Sequence, residues 1–131
     1  MGEPLWLGPE DLDRLHGALI ELHGGAPGVR DTNAAQSALA RPKHLRLYSP
    51  GCDLADLAAS LAYGLAMNHA YMDGNKRISL AACETFLVIN GFELDLSNEE
   101  AVAVWLGLAA GQISERQLAA MLRDRIVRIA D

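Results

Sequence analysis

The sequence predicts an all-α fold, a compact single-domain bundle of about six helices over residues 1–131. Three observations predict it. Apolar residues recur three and four positions apart through nearly every segment. Helix start signals stand before those runs, two of them as complete capping boxes, Ser97-Asn98-Glu99-Glu100 and Ser114-Glu115-Arg116-Gln117. Strand-like character is confined to Leu5-Trp6-Leu7 and Phe92-Glu93-Leu94.

The first helix opens at Pro9, a residue suited to the first helical position, with Glu10 and Asp11 in its first turn. Leu12, Leu15, Leu19 and Leu22 mark one face, and Gly24-Gly25-Ala26-Pro27-Gly28 ends the helix in a turn. The second helix is predicted from Thr32 to Ala40 and stops before Pro42, because proline removes a backbone donor and clashes with the preceding turn. Its short length and polar start leave an irregular segment as the alternative. After Pro50-Gly51, Asp53 caps a third helix, in which Leu54, Leu57, Ala58, Leu61 and Leu65 carry an apolar stripe towards Asn68. The fourth starts at Gly74 or Asn75, runs through Ile78, Leu80, Ala81, Leu87 and Ile89, and stops at Asn90-Gly91. The first capping box opens a fifth helix through Val102, Trp105, Leu106 and Ala109. The second opens a sixth through Leu118, Met121, Leu122 and Ile126.

Composition narrows the function. Half of the residues are hydrophobic and 5% are aromatic, which suits aliphatic, alanine-rich helix contacts. The formal charge of -6 opposes a nucleic-acid backbone, so direct nucleic-acid binding is not expected. Arg116, Arg123, Arg125 and Arg128 read as a solvated helix face whose charge suits a helix C-terminus, with a patch for an acidic partner as the alternative. Cys52 and Cys83 show neither CxxC spacing nor paired histidines and fit a reduced compartment. Met1 to Leu7 lacks a signal-peptide pattern, and the apolar stretch Ala101 to Ala110 is too short to span a bilayer. A cytoplasmic location without a membrane partner is the expectation.

The chemistry concentrates in His69-Ala70-Tyr71-Met72-Asp73-Gly74-Asn75-Lys76-Arg77, at the joint of two apolar helices. A helix beginning at Gly74-Asn75 offers unpaired backbone N–H groups and a partial positive charge. Gly74 has no Cβ to block a phosphate, Asn75 can donate an amide hydrogen bond, Lys76 adds a point charge and Arg77 a bidentate fork. Asp73 is placed to be a magnesium carboxylate, and His69 can take a proton from a hydroxyl nucleophile. Singly, each has a plainer role: Asp73 as a cap or turn residue, His69 as a packing residue. Together, the spacing H-x-x-x-D-G-N-x-R supplies base, metal ligand, anion nest and guanidinium in one turn. His16, His23 and His44 show no metal-ligand spacing and are read as structural; Tyr71 is read as a core anchor for the loop.

His69 to Arg77 resembles the signature of the Fic/Doc superfamily, H-P-F-x-[D/E]-G-N-x-R, and with Lys76 it looks like the Doc (death-on-curing) toxins. Gly24 to Gly28 followed by Ser37-Ala38-Leu39-Ala40-Arg41-Pro42, and Asn90-Gly91-Phe92-Glu93-Leu94 with the closing helices, extend the resemblance over essentially the whole chain. It departs from the pattern at Ala70, where proline is usual, and at Tyr71, where phenylalanine is.

The resemblance implies ATP with Mg²⁺, His69 as the base on a protein hydroxyl, Asp73 on the metal, and Gly74, Asn75, Lys76 and Arg77 on phosphates. Lysine in place of a second glycine implies a kinase that donates the γ-phosphoryl group to elongation factor Tu and arrests translation in the bacterial cytoplasm. Two alternatives stand beside it: an AMP transferase of the ordinary Fic kind, and an inactive antitoxin-binding module. The inhibitory S/T-x-x-x-E-G/N pattern of many Fic proteins is absent, since no glutamate precedes Gly or Asn. Control by a Phd-type antitoxin is what the resemblance then implies.

Overall fold

The structure is a computed structural model that describes residues 2–130. Six helices and one two-stranded sheet occur among these residues, in the order α1 (Pro9–His23), α2 (Thr32–Tyr48), α3 (Leu54–Asn68), α4 (Asn75–Ile89), β1 (Phe92–Leu94), α5 (Asn98–Ala109), α6 (Glu115–Arg125) and β2 (Ile126–Arg128). The all-α expectation holds, with the small sheet as its one addition. No helix among the described residues is long and apolar enough to cross a membrane.

Helix α3 is the axis of the fold. Its apolar residues lie on every side, so it buries not one stripe but most of its surface, from Leu54 to Ala66. Asp53 caps it, accepting from the Asp56 N–H at 2.9 Å, while Asp56 reaches back to the Asp53 N–H. Helices α2, α4 and α6 pack around α3. A buried polar chain ties three layers together: Trp105 Nε1 on α5 donates to Ser79 Oγ on α4 at 2.8 Å, and Ser79 Oγ donates to the Ala62 carbonyl of α3 at 2.6 Å. Every polar atom in that chain has a partner, so its burial is not costly.

Three expectations are corrected. Helix α2 does not stop before Pro42 but runs through it to Tyr48, with Pro42 buried inside. Packing outweighs the proline cost there. Gly64 of α3 comes so close that a Cβ would lie 3.3 Å from the Ala38 Cα and 2.7 Å from the Arg41 Cδ. Arg41 also donates to the Ser60 carbonyl of α3 and pairs with Glu115 of α6. The sixth helix ends at Arg125. Ile126 is extended and opens β2, antiparallel to β1 with Leu94 opposite Ile126 and Phe92 opposite Arg128. Leu5-Trp6-Leu7 forms no strand; instead the Asn90 amide clamps Leu5, accepting from its N–H and donating to its carbonyl, both at 2.9 Å.

The first-helix face is also narrower than the leucine series suggests: Leu12 is buried, Leu15 and Leu19 are half-buried, and Leu22 is exposed. His16 takes the buried position one turn after Leu12. The arginine cluster divides. Arg123 binds Asp53 and Asp56 at the start of α3, and Arg125 binds Glu100 through both terminal guanidinium nitrogens. They are cross-links between elements, not a purely solvated face.

Candidate active site

The nine-residue motif occupies the end of α3, a six-residue loop and the first turn of α4. His69 ends α3 in a left-handed conformation, φ 50° and ψ 49°, the sole non-glycine residue with positive φ among those described. Histidine enters this region more readily than most residues, yet at a cost. The turn sends the chain sharply away from α3 and leaves the His69 side chain exposed at the joint.

The next residues go inward. Ala70 is fully buried, and its carbonyl accepts from both the Arg30 N–H, at 2.8 Å, and the Asp31 N–H, at 3.0 Å. Met72 N–H donates to the Gly28 carbonyl, which makes a single antiparallel bridge between Val29 and Tyr71. Alanine at position 70 thus lies in a backbone-pinned, buried segment.

Tyr71 is the anchor that the sequence suggests, with its ring buried and its hydroxyl donating to Asp13 Oδ1 of α1 at 3.3 Å. Burial, and then the neighbouring Asp13 charge, push the phenol well above its ordinary range, so it stays protonated and donates. The Tyr71 backbone is gripped by Asn75, which accepts from its N–H at 3.1 Å and donates to its carbonyl at 3.0 Å. The Asn75 side-chain amide therefore shapes the loop; its backbone N–H is what it offers towards an anion.

Helix α4 starts without a side-chain cap, unlike α2, α3, α5 and α6. Gly74 stands at the cap position with φ 78°, a conformation that favours glycine. Its own N–H is taken by Asp73 Oδ1 at 2.8 Å, and its carbonyl receives the Ile78 N–H. The N–H groups of Asn75, Lys76 and Arg77 follow it in the uncapped first turn, where the helix end carries partial positive charge. Lys76 and Arg77 are exposed and take part in none of the ion pairs among the described residues.

These groups share one pocket of about 400 Å³, lined by His69, Met72, Asp73, Gly74, Asn75, Lys76 and Arg77, with Ala66 and Ala109 from α3 and α5. The structure thus brings all the candidate residues to one cavity. A larger one lined by Glu3, Trp6, Lys43, Arg46 and Cys52 lies apart from them. A solvent-facing carboxylate, two exposed cations and an uncapped helix start are the donor set that a metal-bound polyphosphate requires. Neither cysteine competes for a chemical role: burial raises both thiols, Cys83 most, and keeps them protonated.

Two residues next to the site escape the motif. His16 Nε2 lies 2.8 Å from the Asp73 carbonyl oxygen, and its ring stacks on Tyr71 with centroids 3.8 Å apart. The signal was available: a histidine one turn after Leu12, on a stripe bound for the core, needs a polar partner. Gly25 is the other; a Cβ there would lie 2.7 Å from Asp73 Oδ2.

The chain is similar in sequence to known proteins. The chain is 32% identical over 117 residues to the protein of Escherichia phage P1 named protein kinase doc, covering 89% of this chain and 92% of that one. It is 48% identical over 75 residues to the protein of Mycolicibacterium smegmatis named toxin Doc, covering 54% of this chain and 55% of that one. A model of the Fic/DOC family matches residues 6–87, a span that includes the whole motif, and the chain is accordingly a member of the Fic/DOC family, of the Doc type.

Proposed function

We propose that this chain is a Doc-type toxin that transfers the γ-phosphoryl group of ATP to a hydroxyl of a translation factor, elongation factor Tu by the resemblance. The observation that carries the reading is the convergence of His69, Asp73, Lys76, Arg77 and the uncapped α4 start on one pocket. The name of the phage P1 relative, matched over nearly its full length, supports phosphoryl transfer over AMP transfer.

In this reading the α4 N-terminus binds the transferred end of the triphosphate. Arg77 makes a two-pronged contact to phosphoryl oxygens and Lys76 adds a compact charge, both suited to a terminal phosphate. Mg²⁺, held by the Asp73 carboxylate, supplies neutralisation of phosphate charge when bound. His69 accepts the hydroxyl proton of the target at the mouth of the pocket. Asn75 and Tyr71 hold the loop that places these groups. The Lys76 side chain fills the room that a glycine would leave for an α-phosphate. A Phd-type antitoxin is the partner that restrains the toxin in the cytoplasm.

The test is incubation of the chain with a translation-factor fraction and either γ- or α-labelled ATP, followed by mass spectrometry of the target. Label from the γ position alone, lost in His69→Ala, is the expected result. A target carrying AMP would overturn the kinase reading and promote the AMP transferase.

A further inference from the structure

We infer that His16 is a positioning residue of this site, fixing the Asp73–Gly74 peptide so that Asp73 and the α4 N-terminus keep their places; the inference rests on the phosphotransfer reading above. The acceptor at 2.8 Å is a carbonyl oxygen, which has no proton to give, so Nε2 carries the hydrogen and donates. The ring cannot drift: His16 is buried, and it lies nearly parallel to the Tyr71 ring at an interplanar angle of 16°. Tyr71 is in turn tied to Asp13, one helical turn before His16. Helix α1 therefore grips the motif loop twice, at Tyr71 and at Asp73.

The grip matters because of the residue that follows. Gly74 accepts either sign of φ, so its residue type does not stop the preceding peptide from rotating. As held, that peptide turns its carbonyl into α1 and its N–H onto Asp73 Oδ1. Rotation would break both bonds. It would free the carboxylate from its place and bring a carbonyl dipole of the wrong sign towards an anion site. A partner that orients a metal-binding carboxylate is commonly worth roughly 10- to 100-fold in affinity.

The experiment measures Mg²⁺–ATP affinity by calorimetry, and the Mg²⁺ concentration giving half-maximal nucleotide binding, in the wild-type chain, His16→Phe and His16→Gln. Phenylalanine keeps a ring against Tyr71 and removes the donor; glutamine can return an N–H near Nε2. His16→Phe is expected to weaken affinity roughly 10- to 100-fold and raise the Mg²⁺ requirement, with His16→Gln recovering most of both. A merely structural role would lower thermal stability and leave the affinity of the folded protein unchanged. If His16→Phe does not fold, His16→Asn, whose shorter amide does not reach Asp73, takes its place. Wild-type affinity in the folded donorless variant overturns the inference and leaves the phosphotransfer reading standing. Equal weakness of the Phe and Gln variants also overturns it, because a returned N–H donor would then not restore affinity. Absence of nucleotide binding in the wild-type chain overturns the phosphotransfer reading itself.

Discussion

Asn75 holds Tyr71 at both backbone atoms, accepting from its N–H at 3.1 Å and donating to its carbonyl at 3.0 Å across one turn of loop. The motif asparagine is thus a clasp for the loop that carries Asp73. Asn75→Ala removes two hydrogen bonds in a half-buried setting and should cost about 1–3 kcal/mol in urea unfolding. Asn75→Asp keeps the acceptor for the Tyr71 N–H but sets a second oxygen against the Tyr71 carbonyl, so it too should destabilise. An asparagine acting on phosphate alone would leave stability unchanged in both.

His69 stores strain in its left-handed turn. His69→Gly should relieve it, and after the entropy cost of glycine the protein should be as stable as wild type or more so, by up to about 1 kcal/mol. His69→Ala gains no such relief. Both should abolish phosphoryl transfer, since general-base assistance contributes roughly 10²–10⁴ in rate. A fully active glycine variant would remove His69 from the chemistry.

Most of the fold is legible in the sequence because local signals and tertiary packing agree. The caps at Asp53, Ser97 and Ser114 mark helix starts to the residue. What escapes the sequence is where a long-range contact overrides a local one. Pro42 stays helical because Gly64 and Ala38 pack tightly enough to outweigh its lost hydrogen bond. Ile126 leaves helical geometry because β1 lies ready to pair with it. The site divides in the same way. Residues consecutive in the motif are visible as a spacing, whereas His16 on α1 and Gly25 just after it reach Asp73 across the fold, and the burial signal of His16 does not name its partner.

The ion pair between Asp53 and Arg123 predicts a pH dependence. Hydrogen bonding to the Arg123 guanidinium holds the Asp53 carboxyl at about 2, below its ordinary 3.8. A carboxyl depressed by folding contributes stability that is present above its unfolded value and is lost as pH falls through its folded value. Arg123→Ala should therefore be less stable than wild type at pH 7, and the difference should shrink as pH falls from 3.8 towards about 2. Denaturant unfolding of the two proteins across that range measures it. A difference that stays constant would place the stabilisation in Arg123 packing, not in its charge.

Gly24 and Gly25 allow the approach of the first turn to Asp73 to be separated from its backbone geometry. Both have positive φ, 79° and 118°, so alanine at either is strained. At Gly24 a Cβ meets nothing within 4 Å, and Gly24→Ala should cost about 1–3 kcal/mol from backbone strain alone. At Gly25 the new Cβ would lie 2.7 Å from Asp73 Oδ2 and 3.2 Å from Ile20 Cδ1. The carboxylate is the more movable neighbour and should swing aside. Both variants should then melt below wild type, but only Gly25→Ala should lose Mg²⁺–ATP affinity, roughly tenfold or more if the Asp73 carboxylate holds the metal. Thermal melting and calorimetry on the two proteins decide the matter, and equal affinity in both would separate Asp73 from the metal.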